Sequence, residues 1–323
     1  MKKEVKATMA NKAHEEIPGN PSVSSSSDQK LNDRSNRKSL RVLSEEDWKF
    51  WMHNGYIVIK NAIPKEQAKA TANFIWEFDE KDPNDTSTWY AKPRAEMKMK
   101  ELAGTGMVEA YNHQTLWNNR QMQKVYDAFV DVWGTKKLWV TIDRVNLNFP
   151  QRPGEEKEGF IHWDYDPETR PQNVQGVIAL ADQMDESMGG FQCVPWLYRN
   201  YDTWKLTQPE DRHRFQPNLD SLQDKLVKVL MEAGDLLIFN STEPHGIRPN
   251  RSGKKVRIAQ YISMMPAEEE NQELKDWRIN SWKNRVAPVG YAFPGDPRNW
   301  EQEKYKTAEL SKLGKKLLGL DNW

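Results

Sequence analysis

A succession of short strands between residues 138 and 264 constrains the fold of this chain more than any other feature. The segment LWVTIDRVNLNF, which begins at Leu138, alternates in part between apolar and polar side chains, as strands with one buried face do. We predict strands over the ranges 138–149, 160–164, 174–181, 190–194, 234–239 and 256–264. Alternating βα units and glycine-rich nucleotide motifs are lacking, so a nucleotide-binding α/β fold is not expected.

Helical patterns surround these strands. The sequence Ser-Glu-Glu-Asp from Ser44 predicts a capped helix that ends at Gly55 and is followed by a short strand over 56–59. Pro64 opens a second predicted helix, and a third is predicted over 118–133. Strands in one block with helices before and after them predict an α+β, mainly β fold.

The chain divides into a polar N-terminal tail and one domain. Residues 1–42 contain the run NPSVSSSSDQ, many charges and almost no aromatic side chains, which predicts disorder. The rest, 43–323, is predicted to be a single domain. Its parts follow in chain order: a helical part 43–135, a β core 136–266 with a polar insertion 196–232 that holds a helix near 222–231, and a helical tail 267–323.

Composition argues against several classes of protein. The 323 residues carry a formal net charge of +0, which gives no reason to expect nucleic acid or an anionic membrane surface as a partner. No apolar run approaches the roughly 20 residues of a membrane helix, and the basic start lacks the apolar core of a secretory signal. Cys193 is the single cysteine, so no intrachain disulfide can form. We therefore expect a cytoplasmic protein and leave its oligomeric state open.

The segment His162-Trp163-Asp164 supplies two ligands of a predicted metal site. Side chains two residues apart on a strand point the same way, so His162 and Asp164 can share one face. Two imidazoles and one carboxylate on one face are the ligand set of non-haem Fe(II) oxygenase sites. His245 follows the apolar strand in GDLLIFNSTEPHG and is the best third ligand. We predict that His162, Asp164 and His245 bind a metal ion.

Arg257 is the predicted anion-binding residue. It lies on the next strand, VRIAQYISM, twelve residues after His245. A keto acid that binds a metal through one carboxylate and its keto oxygen needs a cation for its other carboxylate, and a planar guanidinium suits this need. Asn146 and Gln175 lie on other predicted strands, and we expect them beside the keto acid if they face the barrel interior.

Together these motifs resemble those of one enzyme family. The His-x-Asp pair, the strand in SMGGFQCVP, the segment GDLLIFNSTEPHG and an arginine on the next strand are similar to the phytanoyl-CoA dioxygenase-like branch of the Fe(II)/2-oxoglutarate-dependent oxygenases. The segment WKFWMHNGYIVIKNAIP is similar to the helix and strand at which the domain of this family usually begins. The resemblance covers residues 44–323.

The resemblance implies a double-stranded β-helix, that is, a jelly-roll or cupin-like core with flanking helices. It implies that His162, Asp164 and His245 bind Fe(II), and that Arg257 binds the carboxylate of the cosubstrate 2-oxoglutarate. The implied reaction uses O2 to hydroxylate a small-molecule substrate while 2-oxoglutarate is decarboxylated to succinate. Halogenating relatives replace the acidic ligand by a small residue, so Asp164 favours hydroxylation or a related oxidation.

The chain departs from the family pattern after the Gly-Gly strand. Many members have a histidine in the segment that follows, where this chain reads VPWLY at 194–198. That histidine is not an iron ligand, so the change concerns the substrate pocket rather than the metal.

Several assignments leave alternatives open. Asp166 could replace Asp164 as the acidic ligand, and Arg248 or Arg251, which look more exposed in a Pro-Asn turn, could replace Arg257. Trp163 and Arg248 are also candidates for substrate contact, with core packing as the alternative for Trp163. For the whole chain, the alternatives are a jelly-roll protein that binds a metal or small molecule without turnover, and a zinc hydrolase that uses the same ligands.

Overall fold

The structure, a computed structural model, describes residues 29–35, 39–90, 105–156, 158–288 and 293–323. The helices of the described residues are α1 (Glu45–Asn54), α2 (Lys65–Phe78), α3 (Gln114–Arg120), α4 (Gln123–Trp133), α5 (Pro195–Lys205), α6 (Gln272–Asn284), α7 (Trp300–Lys304) and α8 (Lys312–Leu318). The strands are β1 (Tyr56–Ile59), β2 (Met107–Val108), β3 (Leu138–Val140), β4 (Val145–Asn148), β5 (Val174–Ala179), β6 (Met188–Cys193), β7 (Val227–Lys228), β8 (Leu236–Asn240), β9 (His245–Asn250), β10 (Arg257–Tyr261) and β11 (Met264–Pro266).

Helix α1 begins and ends where the sequence predicts. The Ser44 hydroxyl accepts the backbone N–H of Asp47, and the Asp47 carboxylate accepts the backbone N–H of Ser44, which completes a capping box. Gly55 follows in the left-handed region at φ 72°, and its N–H donates to the carbonyl of Trp51. This glycine lets the chain leave the helix and enter β1 without an intervening loop.

The predicted helix over 118–133 is divided into α3 and α4. Gln121 and Met122 separate the two helices, and Met122 has an extended backbone with ψ 130°. The C-terminal part of the chain packs at this break, where the N–H of Ser311 donates to Gln121 Oε1 at 2.7 Å. The break thus accompanies a long-range contact that helical periodicity does not show.

Two antiparallel sheets form the β core. The larger has the strand order β1-β8-β5-β10-β4-β2, and the smaller has the order β7-β6-β9. A bridge between His162 and His245 adds the segment around His162 to the free edge of β9. From β4 to β10 the chain passes repeatedly from one sheet to the other, which is the arrangement of a jelly roll and confirms the predicted fold class.

The larger sheet is buried on both faces. In β5, Val177 and Ala179 point into the space between the two sheets, whereas Ile178 joins the core shared with the helices. Burial on both faces explains why β8 is apolar along most of its length rather than alternating. The apolar interior between the sheets is formed by Tyr56, Val177, Ala179, Phe191, Cys193, Val229, Met231, Leu237, Phe239 and Ala259.

Three predicted strands differ from the structure. The range 138–149 is interrupted and forms β3 and β4, and the range 256–264 forms β10 and the start of β11. β3 and β11 pair with each other in a separate two-stranded sheet, so each of these ranges changes sheets midway. Within the range 160–164, which is also predicted to be a strand, the structure shows a single bridge at His162.

The predicted helix near 222–231 is wrong. Gln223–Lys225 form a single 3-10 turn, and β7 then pairs with β6 so that Val227 lies opposite Cys193. The helix of this insertion is α5, with Pro195 at its first position. Pairing with a distant strand decides the conformation here and overrides the local helical pattern.

The last residues of the predicted tail pack against α4. The Asp131 carboxylate accepts the backbone N–H groups of Arg41, Val42 and Leu43 at 2.8 to 3.0 Å. Residues 39–42, which we predicted to be disordered, therefore belong to the folded part of the chain.

A second stretch of the predicted tail also contacts α4. The N–H of Asn32 donates to the carbonyl of Val132 at 2.9 Å, so residues 29–35 extend this contact. The rest of the predicted tail, 1–28 and 36–38, lies outside the described residues. Among the described helices, none combines the length with the apolar character that crossing a membrane requires.

Candidate metal centre

Three side chains from two parts of the β core converge beside β9. His162 and Asp164 lie on the segment that bridges to β9, and His245 is the first residue of β9. His162 and His245 exchange both backbone hydrogen bonds of the bridge, at 2.8 and 3.0 Å. One ligand atom from each of the three side chains lies within 4.8 Å of the others. The structure thus brings together the His-x-Asp pair and the distant histidine.

The Asp164 carboxylate lies between the two imidazoles. His162 Nε2 is 3.1 Å from Asp164 Oδ1, and His245 Nε2 is 3.4 Å from Asp164 Oδ2. His245 Nδ1 lies 2.9 Å from the carbonyl oxygen of Glu243, so it donates its proton there and the Nε2 lone pair faces the cluster. Gln175 Nε2 donates to Asp164 Oδ2 and orients the carboxylate. These contacts hold the three side chains in place without using up their capacity to bind a metal.

The cluster also shifts the protonation of its members. Burial alone would raise the pKa of Asp164, but the charge and hydrogen bond of His162 hold that pKa well below its usual range. Burial likewise opposes a charge on His162, yet the adjacent Asp164 carboxylate raises the pKa of the imidazole. The low pKa keeps the Asp164 carboxylate ionised, and a divalent cation held by the three side chains would take the place of any proton on the His162 imidazole.

Trp163 points away from this cluster. It is 2% exposed, packs against Tyr201 and Trp204 of α5, and donates its Nε1–H to the carbonyl of Thr242 at 3.0 Å. Its backbone N–H donates to the carbonyl of Phe215. Trp163 therefore attaches the insertion to the β core, and the structure supports core packing over the predicted substrate contact.

Asp166, the alternative acidic ligand, has a different role. Its carboxylate accepts the backbone N–H of Glu168 and caps the short turn Pro167–Thr169. Its second oxygen forms an ion pair with Arg214 at 3.3 Å. Asp164 is therefore the acidic member of the cluster.

A buried guanidinium lies on β10. Arg257 is 0% exposed, its Nη1 donates to Asn146 Oδ1 at 2.9 Å, and its Nε donates to Gln183 Oε1 at 3.3 Å. Its Nη2 is buried and has no hydrogen-bond partner within the described part of the chain. Because a buried charged donor without a partner is unfavourable, this atom marks a place where an anionic group can bind.

Asn146 and Gln183 orient this guanidinium. Asn146 Nδ2 donates to the carbonyl of Thr105 at 3.0 Å, which leaves Oδ1 free to accept from Arg257. Gln183 Nε2 donates to the carbonyl of Ile258 at 3.4 Å and leaves Oε1 for the same purpose. Sequence analysis missed Gln183, because a polar residue just after a predicted strand carries no periodic signal.

One other prediction needs correction. Arg248 is not exposed in a turn but lies in β9, 3% exposed, because β9 continues through Pro249 and pairs with β6. Its Nη1 and Nη2 donate to the carbonyls of Phe191 and Gly189, each at 2.5 Å. Gln175 donates to the Asp164 carboxylate, and its expected place beside a keto acid stays a prediction. Arg251 is exposed, as its turn predicts.

The donor set fits non-haem Fe(II) together with a dicarboxylic keto acid. Two imidazole nitrogens and one carboxylate are the protein ligands of such iron sites. A fixed His245 tautomer satisfies the usual requirement for an oriented ligand. The unpartnered Nη2 of Arg257 suits the carboxylate at the far end of the acid.

Two known proteins are similar to this chain in sequence over most of its length. Ava biosynthesis cluster protein O of Aspergillus versicolor is 25% identical over 246 residues, which cover 68% of this chain and 77% of that protein. A Dictyostelium discoideum protein provisionally named a phytanoyl-CoA dioxygenase is 23% identical over 317 residues, which cover 85% of this chain and 86% of that protein.

A solved structure and a family profile also match this chain. A solved crystal structure of a hypothetical protein from Escherichia coli superposes with a TM-score of 0.62 at 16% identity, over 88% of this chain and 87% of the other, a likeness of fold alone. The sequence profile of the phytanoyl-CoA dioxygenase (PhyH) family matches residues 51–259, a range that contains the three clustered side chains and Arg257. Since this match covers more than half of the sequence, the chain belongs to the phytanoyl-CoA dioxygenase (PhyH) family.

Proposed function

We propose that this chain is an Fe(II)- and 2-oxoglutarate-dependent dioxygenase that hydroxylates a small-molecule substrate. The single observation that carries the proposal is the presence, in one β core, of a His-Asp-His cluster and a buried arginine with an unpartnered Nη2. The family supports a dioxygenase-type enzyme, and the donor set supports the choice of metal and cosubstrate.

His162, Asp164 and His245 would hold the metal. Three protein ligands on one side leave the remaining positions open to 2-oxoglutarate and O2. When bound, iron and 2-oxoglutarate supply the oxidation, in which the keto acid is decarboxylated to succinate and the substrate is hydroxylated. The chain contributes the orientation of the ligands through the Glu243 carbonyl and the Gln175 amide.

Arg257 would bind the distal carboxylate of 2-oxoglutarate. Asn146 and Gln183 fix the plane of its guanidinium, so the free Nη2 donor is already oriented before the cosubstrate arrives. A preoriented, buried donor of this kind forms a strong charge-assisted hydrogen bond. Such a contact would hold the far end of the keto acid in place.

An apolar side chain flanks the metal cluster. Phe160 is 47% exposed, although its ring centroid lies only 5.1 Å from that of His162. An exposed aromatic ring next to a catalytic site favours a substrate with an apolar part. The acidic ligand Asp164 favours hydroxylation over halogenation, since halogenating relatives lack this carboxylate.

An anaerobic titration tests the proposal. Fe(II) and 2-oxoglutarate are added to metal-free protein, and the visible charge-transfer absorption of the chelate is recorded, with His162→Ala and Arg257→Ala as variants. We expect the absorption in the wild type, its loss in His162→Ala and a large rise in the 2-oxoglutarate concentration required in Arg257→Ala.

Other outcomes would favour other functions. If the wild type shows no chelate absorption but binds zinc tightly, a zinc hydrolase or a metal-binding protein replaces the oxygenase. If the chelate forms but no compound in a substrate screen stimulates succinate release above the basal rate, a binding protein without turnover is favoured.

A further inference from the structure

A second buried arginine lies close to Arg257. Arg248 is 3% exposed, and its Nε has no hydrogen-bond partner within the described ranges. Its Nη groups donate to main-chain carbonyls, so these contacts leave its charge uncompensated. Burial, followed by the positive charge of Arg257, lowers the pKa of Arg248 to about 10, which still leaves the guanidinium charged at neutral pH.

Gln183 and Gly190 show that the two guanidiniums border the same space. Gln183 Oε1 accepts from Arg257 Nε at 3.3 Å. A Cβ placed on Gly190 would lie 3.2 Å from Gln183 Oε1 and 2.9 Å from Arg248 Nη2. Gly190 has φ +104°, a conformation that favours glycine, and the absence of a side chain there lets Arg248 and Gln183 approach each other over its backbone.

The hydrogen-bond partners of the two arginines are neutral. Arg257 donates to the side-chain oxygens of Asn146 and Gln183, and Arg248 donates to backbone carbonyls. The acidic residue whose charge acts on Arg248 is Glu186, but Glu186 is exposed and pairs with Lys228 at 2.8 Å. Two buried positive charges with neutral partners are unfavourable, and an anion between them would offset both.

We propose that Arg248 is a second cationic residue of the cosubstrate site, so that the distal carboxylate of a dicarboxylic 2-oxo acid lies between Arg248 and Arg257. The inference rests on the proposed use of 2-oxoglutarate and adds a specificity-determining residue to it. Paired guanidiniums favour an acid with a second carboxylate over an acid of equal length that ends in a methyl group. Arg248 contacts neither the metal nor the reacting atoms in this proposal.

Two matched probes separate this role from a structural one. Protein loaded with Mn(II), which keeps the cosubstrate from being consumed, is titrated by calorimetry with 2-oxoglutarate and with 2-oxopentanoate. These acids have the same chain length and differ in the distal carboxylate. The measured quantity is the dissociation constant of 2-oxopentanoate divided by that of 2-oxoglutarate. This ratio reports recognition of the distal carboxylate and does not depend on enzymatic activity.

Arg248→Met is expected to reduce this ratio roughly ten- to a hundredfold, since it removes a charge-assisted contact. Arg248→Lys keeps the charge but loses the planar fork, and its ratio is expected to fall roughly threefold or more. Arg278→Lys is the control, because Arg278 is also buried and bonded to main-chain carbonyls, at Val140, Leu317 and Leu318. This control should leave the ratio unchanged.

The outcomes distinguish the two proposals. If the wild type does not bind 2-oxoglutarate, or Arg257→Met binds it normally, the proposed function fails. If Arg257→Met loses the discrimination while Arg248→Met keeps it within twofold of the wild type, Arg248 only supports the backbone of β6 and the inference is overturned. If Arg248→Met fails to fold, the ratio of dissociation constants measured for Arg248→Lys decides instead. A ratio equal to that of the wild type then overturns the inference.

Discussion

At the residue scale, the candidate metal centre depends on groups that are not ligands. The Glu243 carbonyl selects the His245 tautomer, and the Gln175 amide holds one oxygen of Asp164. Gln183 has the corresponding role for Arg257. Partners of this kind change the affinity for the bound group, because a ligand that must be oriented at the moment of binding binds less tightly.

Replacing Gln175 by Leu should weaken metal binding. The substitution removes the N–H that orients Asp164, and we expect affinity for Fe(II) or Mn(II) to fall roughly ten- to a hundredfold. Competition with a chelator of known affinity measures this change. Gln183→Leu is the matched control and should weaken binding of 2-oxoglutarate while metal affinity stays at the wild-type value. Wild-type metal affinity in Gln175→Leu would contradict the role given to this amide.

At the element scale, β9 organises the site. It begins with His245, carries Arg248, pairs with β6 on one side and is bridged by His162 on the other. The bridge brings the two backbones very close, since a Cβ on Gly246 would lie 1.7 Å from the carbonyl oxygen of Phe160. A glycine is therefore required next to His245 by the close approach of the two backbones.

Gly246→Ala should separate the bridged segments. We expect a loss of at least about 2 kcal/mol of unfolding free energy, because the backbone of Phe160 must move. Metal affinity should fall as well, since His162 and His245 lie on the two segments that move apart. Denaturant titration and chelator competition measure the two effects. Gly253→Ala is the control. Its Cβ would meet nothing within 4 Å, but Gly253 has φ +76°, so the substitution should cost only about 1 kcal/mol and leave metal affinity intact.

The contact of the N-terminal segment with α4 gives another prediction for an element. Asp131 accepts three backbone N–H groups from residues 41–43, so Asp131→Ala leaves these donors without their partner. We expect the protein to lose about 2–4 kcal/mol of stability, and residues 39–42 to be cleaved faster by proteases. Asp131→Asn keeps one acceptor and should lie between the two. Unchanged protease resistance of the segment in Asp131→Ala would contradict this assignment.

At the scale of the whole molecule, the helical layer joins distant parts of the chain. His113, which caps α3, stacks on Phe74 of α2 with ring centroids 3.6 Å apart. Tyr305, in the C-terminal part of the chain, meets the same imidazole edge-on at 4.8 Å. Burial in this contact lowers the pKa of His113 to about 4. Protonation of one side chain therefore acts on contacts between three segments.

The stability of the protein should consequently depend on pH through His113. The pKa of this imidazole is about 4 in the folded protein and 6.5 for a histidine free of such contacts, so the unfolded chain binds the additional proton first as pH falls. The stabilising contribution is complete above pH 6.5 and declines as pH falls toward 4, by at most about 3 kcal/mol. His113→Asn keeps a helix cap without a titrating group, and should show a smaller slope of unfolding free energy between pH 4 and 6.5. An identical slope in the variant would exclude His113 as the source.

Local sequence determined several features of this protein. The capping box at Ser44 and the left-handed Gly55 define α1 because these signals act between neighbouring residues. The two-residue spacing of His162 and Asp164 predicts side chains on one side of the chain, and the structure brings both to His245. The order of helices and strands was sufficient for the fold class, and the motifs were sufficient for the family.

Only the tertiary structure decided the rest. Arg248 is buried, and Val227 lies in a strand rather than a helix, because β9 and β7 both pair with β6. Gln183, just after β5, accepts from Arg257 because β5 pairs with β10. Burial and partner choice depend on which distant strands lie side by side, and that pairing is set by the packing of the whole core. Periodicity describes only the few residues around each position, so it could not contain this information.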